Sequence, residues 1–212
     1  MIVPVGSLEQ HGPHLPLDTD TRIAAAVAAG AAAGHDGTAV APPLAFGASG
    51  EHAGFPGTLS IGTGALTELL VELGRDASRD WESMLLVNAH GGNRHAVDVA
   101  LARLRAEGRR CAAFHASPAG SDAHAGRTET SLLLHLDPRA VHLRLAAPGE
   151  LAPVGGLMER LRSEGVRAVS PNGVLGDPAG ASAQEGERLL AELIAGCRRA
   201  LGELLALEPA HA

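Results

Sequence analysis

A chain of 212 residues is long enough for one full-sized domain, and at that size about 70% of the unfolded surface is buried on folding, so no disulfide or structural metal is needed to hold it together. With 45% hydrophobic and 19% charged residues, 2% aromatics, a net charge of −7 and arginine as the only basic residue besides histidine, the composition excludes disorder, a basic nucleic-acid face and an aromatic base-stacking platform. No apolar run approaches the ~20 residues of a membrane span and the first residues lack the basic start and small-residue cleavage site of a secretory signal, which leads us to expect a cytoplasmic protein without a membrane partner.

Hydrophobic periodicity alternates strands with helices. Ile2 to Val5 is a short apolar run beginning at the initiator Met, which leaves room for a natural extension ahead of it. Thr21 to Ala33 reads as an alanine-rich helix closed by Gly34, with Thr19 or Asp20 placed to cap its start. Thr38 to Ala41 reads as a strand stopped by Pro42 and Pro43. Leu66, Leu69, Leu70 and Leu73 lie on one face of a helix expected over Ala65 to Trp81. Met84 to Val87 has the continuous apolar character of a strand buried on both faces. A helix over Arg94 to Glu107 ends at Gly108, and Cys111 to Phe114 is the next strand. Another helix starts near Arg127 and stops before Pro138, because the residue preceding proline is biased out of the helical region. Ser182-Ala183-Gln184-Glu185 is a capping box opening an amphipathic helix through Leu205.

Strand followed by helix, repeated with short links, specifies an α/β layered fold: a mostly parallel sheet with helices on both faces, in a single domain over residues 1–212. Such sheets bind ligands beyond the carboxyl ends of their strands. Glycine and proline cluster in three loops, Pro42 to Gly64, Ala116 to Gly126 and Pro148 to Gly180, which are the expected walls of a site. Cys111 and Cys197 lack CxxC spacing and read as buried free thiols of a reducing compartment.

Eleven histidines stand out against this background. Glu9 and His11 lie two apart in an extended segment leaving the first strand, so their side chains project to the same side. Carboxylate and imidazole together suit Zn²⁺, Fe²⁺ or Mn²⁺, and Asp20 is either a ligand able to bridge two ions or a helix cap. His90, in Asn88-Ala89-His90-Gly91-Gly92-Asn93, sits where the strand ending at Val87 turns into a helix, either as a ligand or as part of a structural glycine turn. His124 and Glu129 open the helix near Arg127, with a solvated Glu129 as the alternative. His14 reads mainly as a packing residue, and His35, His95, His115, His135, His142 and His211 as surface or core histidines.

Val5-Gly6-Ser7-Leu8-Glu9-Gln10-His11-Gly12-Pro13-His14, the His-Gly-Gly-Asn turn and the His124 to Ser131 segment together resemble the creatininase family of metal-dependent amidohydrolases over most of the chain. Ser49 to Thr58 and Ser170 to Pro178 resemble the branch of that family attached to mycofactocin biosynthesis, which is a peptidase. The resemblance implies metal ligands at Glu9, His11, Asp20 and His90, two divalent ions bridged by Asp20, a catalytic His124, and substrate contacts in the two branch-specific loops at Ser49, Glu51, His52, Asn172 and Asp177. It further implies a homo-oligomer and, as substrate, the modified C-terminus of a precursor peptide, from which a Val-Tyr-derived dipeptide is released. In creatinine-hydrolysing members the residue two after the turn histidine is a metal-binding glutamate, whereas this chain has Gly92. That difference counts against creatinine and leaves Glu129, or water, to complete the second ion's shell, with a catalytic part for Glu129 also open. A small-molecule amidohydrolase and a metal-bearing scaffold subunit are the competing expectations.

Overall fold

Three parallel strands in the order β1-β2-β3 organise the computed structural model, which describes residues 1–118 and 120–206. They are β1 (Ile2–Val5), β2 (Met84–Asn88) and β3 (Cys111–His115). Their registers run Ile2↔Leu85 through Val5↔Asn88 and Met84↔Cys111 through Asn88↔His115. Among the described residues seven α-helices surround them: α1 (Thr19–Ala32), α2 (Gly62–Ala77), α3 (Arg94–Ala106), α4 (Arg127–Leu136), α5 (Val154–Glu164), α6 (Val166–Val169) and α7 (Ala183–Ala206). No described helix is long and apolar enough to cross a membrane. His211 lies outside the described residues.

The central strand shows why the layers form. Every residue of β2 is buried, and because strand side chains alternate between faces, Leu85 and Val87 join one core while Met84 and Leu86 join another. The first core packs against α1, α4 and α7 through Val27, Leu132, Leu133, Leu193 and Leu201; the second packs against α2 and α3 through Leu66, Leu70, Val97 and Leu104. Helices thus cover both faces, as the alternation of elements predicts. All three strands point their carboxyl ends to one edge, and the segments leaving them at Gly6, Ala89 and Ala116 meet there.

Several expectations need correction. Thr38 to Ala41 is no strand: Ile2 N–H donates to the Ala39 carbonyl, Ala41 N–H to Ile2 and Leu44 N–H to Pro4, but Pro42 and Pro43 have no N–H and reduce the ladder to isolated bridges at Val40 and Leu44. Neither Thr19 nor Asp20 caps α1, whose first helical residue is Thr19 itself, preceded by Asp18, which makes no capping bond. Helix α2 starts earlier and stops earlier than the leucine pattern implies. Helices α5 and α6 occupy part of what reads as one long loop from Pro148 to Gly180.

The start of α7 is a capping box with an inserted hydroxyl. Glu185 N–H donates to Ser182 Oγ (3.2 Å), but Glu185 does not reach back to Ser182; Ser131 Oγ of α4 donates to Glu185 (3.0 Å) and accepts from Ser182 N–H (3.1 Å). The two helices are close enough here that a Cβ on Gly186 would overlap the Ser131 carbonyl oxygen. Glycine to alanine inside a helix ordinarily stabilises by about 1 kcal/mol. Gly186→Ala should instead destabilise, by roughly 1–3 kcal/mol as overpacking does, read as a lower urea midpoint.

Candidate metal centre

The loop after β1 supplies Glu9 and His11, the first turn of α1 supplies Asp20, the turn after β2 supplies His90, and the segment opening α4 supplies His124 and Glu129. A short turn at Gly50–His52 adds Glu51 and His52 from the far side. Glu9, His11, Asp20, His90, His52 and His124 are all buried, whereas Glu51 and Glu129 keep partial exposure. The extended segment does bring Glu9 and His11 together.

Among the described residues four groups have metal-ligand spacing: Glu9, His11 and His124; Glu9, Glu51 and His52; Glu9, Asp20 and His90; and His11, Asp20 and Glu129, of which the last two share the Asp20 carboxylate. Asp20 Oδ1 lies 3.1 Å from His11 Nε2, and Asp20 Oδ2 lies 3.3 Å from His90 Nδ1. His11 Nε2 is 3.8 Å from Glu129 Oε2, and His90 Nε2 is 3.1 Å from Glu9 Oε2. Ser7 Oγ donates to Asp20 Oδ2 at 2.7 Å and holds the shared carboxylate from behind. Among the described residues neither of the fully buried Glu9 oxygens has a hydrogen-bond partner. A carboxylate in that state is costly unless a cation meets it, so the donor set fits divalent metal.

Second contacts set the ring orientations. His11 Nδ1–H donates to the Glu9 carbonyl (3.1 Å), leaving Nε2 for the cluster. His124 Nε2–H donates to the Gln10 carbonyl (2.8 Å), leaving Nδ1 facing Glu9 Oε1 at 3.8 Å. Gln10 is the residue that motif reading passes over. Its amide oxygen accepts from Gly12 N–H, so its nitrogen is the donor, to His52 Nδ1 (2.8 Å) and the Gly173 carbonyl (3.0 Å). His52 therefore turns Nε2–H toward Glu9 Oε1, 3.4 Å away. His14 is buried and bonds Thr130 Oγ1, a packing role.

Gly92 has a steric reason. A side chain there would overlap the Ala48 carbonyl, His90 Nε2 and the Glu51 carboxylate, so glycine lets the 48–51 segment close over His90 and bring Glu51 Oε1 to 3.3 Å from its Nε2. Glu51 and His52 thus face the carboxylate cluster. Ser49 is buried, its Oγ 3.4 Å from His90 Nε2. Asn172 and Asp177 are not brought to the cluster: Asn172 braces Ser170, Val174 and Pro148, and Asp177 accepts from Ala179 N–H. A cavity of about 150 Å³ opens onto Asp20, His90, His124 and Glu129, and its outer wall comes from Arg94, His115 and residues 116–118 and 121–123. The loop at 170–178, expected as a wall, does not line it.

The family pattern for creatinine amidohydrolase matches residues 1–201. The chain belongs to the creatininase family. As a creatininase it is a metal-dependent amidohydrolase. It is 57% identical over 203 residues to the mycofactocin precursor peptide peptidase of Mycolicibacterium smegmatis, covering 93% of this chain and 82% of that one. It is 49% identical over 208 residues to the protein of that name from Mycobacterium tuberculosis, covering 94% and 83%. A crystal structure of creatinine amidohydrolase superposes with a TM-score of 0.79 at 27% identity, covering 98% of this chain and 90% of that chain. Solved creatininases include a manganese form and a Zn-Zn type.

In metal-free protein the carboxylates would recruit protons instead. Burial pulls His11 down, but Asp20, Glu129 and Glu9 outweigh it and raise its pKa to about 10, and His90 is likewise held well above its ordinary value, burial opposing, by Glu9, Asp20 and Glu51. Burial, opposed by His11, raises Glu129 to about 7. A histidine raised on folding stabilises fully below its unfolded pKa, and that stability is lost as pH rises through the folded value. Metal-free protein should therefore lose thermal stability between pH 7 and 10, while metal-loaded protein, whose imidazoles are held by cations, should lose less. Melting curves with and without chelator check this.

Proposed function

We propose that this creatininase is a peptidase that hydrolyses an amide bond near the C-terminus of the modified mycofactocin precursor peptide and releases a Val-Tyr-derived dipeptide. The observation that carries the chemistry is the pair of ligand groups sharing Asp20 beside a histidine whose lone pair faces them; the relatives' name carries the substrate. Glu9, Asp20 and His90 would hold one divalent ion and His11, Asp20 and Glu129 the other, with Zn²⁺, Fe²⁺ and Mn²⁺ all suited to these donors. Glu129 takes the place that Gly92 leaves without a carboxylate. Bound there, the ions supply Lewis acidity that makes water a nucleophile near neutral pH and polarises the scissile carbonyl.

The chain's own groups handle the proton. Burial and His11 hold the His124 pKa well below its ordinary value, so Nδ1 is free to accept a proton as water adds to the carbonyl carbon. The same nitrogen returns that proton to the leaving amine as the C–N bond breaks, an effect worth about 10²–10⁴-fold. No covalent nucleophile is required. Buried, unpaired Cys111 and Cys197 suit a cytoplasmic setting, and the exposed apolar residues Leu143, Leu145, Leu151, Val154 and Met158 support a homo-oligomer.

His124→Ala should keep its metals and lose turnover by roughly that 10²–10⁴-fold, whereas Asp20→Asn should lose both ions because each depends on the shared carboxylate. Elemental analysis beside activity separates them; a metal-depleted His124→Ala would make His124 a ligand. The substrate is tested by mass spectrometry. Modified precursor should yield a dipeptide-sized product that chelator abolishes, and unmodified precursor should be cut poorly, because contacts to the altered terminus orient the scissile bond. The cavity, about 150 Å³, also admits a small cyclic amide; turnover of creatinine or a formamide without cleavage of the peptide would move the assignment to that class.

A further inference from the structure

His115 ends β3, and its register partner Asn88 ends β2, so the two side chains meet at the carboxyl edge of the sheet. The orientation of the Asn88 amide is over-determined. Its Oδ1 accepts from His90 N–H (3.3 Å) and Asn93 Nδ2 (3.1 Å), which leaves Nδ2 to donate to the His90 carbonyl (2.7 Å) and to His115 Nδ1 (3.1 Å). Since Nδ1 of His115 accepts, its ring proton sits on Nε2. His115 lines the cavity that reaches Asp20, His90, His124 and Glu129, and Arg94 stands in the same wall. Burial and the nearby Arg94 charge both lower the His115 pKa, so the ring is neutral at physiological pH. Among the described residues the Arg94 side chain forms no ion pair or hydrogen bond, its backbone N–H being spent on the Gly91 carbonyl. This wall therefore offers two unspent donors, opposite groups that are acceptors or carboxylates.

We propose that His115, fixed as an Nε2–H donor by Asn88 and flanked by Arg94, is a substrate-binding residue that grips a carbonyl oxygen of the peptide chain next to the scissile amide. The inference rests on the peptidase reading above only in naming the chain that is gripped. Its contact is with the substrate and not with the metal groups, so it acts on binding and alignment.

The test uses the metal-loaded protein and a fluorescently labelled modified precursor peptide, with anisotropy for binding, chromatography for cleavage and elemental analysis for metal. His115→Leu should raise the peptide Kd and KM about 3- to 10-fold, the range of one hydrogen bond, with metal content unchanged. His115→Gln, which restores an N–H near the same place, should recover most of the affinity. Unchanged Kd and KM in His115→Leu would overturn the proposal. So would loss of metal in both variants, which would make His115 a structural support of the His90 turn. If wild type binds the peptide without cleaving it, the peptidase reading fails while the anisotropy comparison still decides the role of His115.

Discussion

Four carboxylates, Glu9, Asp20, Glu51 and Glu129, converge with the imidazoles of His11, His52, His90 and His124 at the end of the sheet, and Glu9 and Asp20 are almost wholly removed from water. Buried like charges repel, and each loses hydration, so this arrangement is tolerable only when positive charge is placed among them. The protein meets that constraint with rigid supports. Three of the chain segments involved leave adjacent parallel strands, and the strand registers leave little freedom in their relative positions. Ser7 behind Asp20 and the Glu9 carbonyl behind His11 remove further freedom. Divalent cations would supply that positive charge to donors the strands already hold in place.

How far the sequence could be read depended on the physical range of each signal. Helix α7 was legible because Leu189, Leu193, Leu201 and Leu204 repeat on one face over many turns. The strand expected at Thr38 to Ala41 shows the opposite case: its apolar composition is suitable, and its backbone does bond to β1, but two prolines cannot donate. Helices α5 and α6 escaped because α5 buries only Leu157 and Leu161, and Gly155 and Gly156 weaken its first turn. Of the site, the chemically conspicuous residues were visible by type and spacing, and the family resemblance organised them. Gln10 and Asn88 were not, because what they do lies in pairings across strands and loops. Asn172 and Asp177 were expected at the substrate for lying in a distinctive loop, but their side chains brace that loop, on Ser170, Val174, Pro148 and Ala179, and it is the loop backbone at Gly173 and Leu175 that bonds to Gln10 and His124.

The histidines divide by what occupies the nitrogen turned away from the site. His11 and His124 each donate that ring N–H to a backbone carbonyl, so each presents a lone pair to the carboxylate cluster. His52 and His115 each accept there from a side-chain amide, Gln10 or Asn88, so each presents an N–H. The same ring thus becomes an acceptor of cations and protons in one pair and a donor to oxygen in the other. Gln10 controls one member of each class, through its carbonyl to His124 and its amide to His52. Because the Gln10 amide also donates to Gly173 and accepts from Gly12, it cannot flip without losing bonds at both ends. The division of labour among the imidazoles is therefore set by two amides and two peptide carbonyls, all held by the β1 and β2 ends of the sheet, which ties the chemistry of the edge to the register of the strands beneath it.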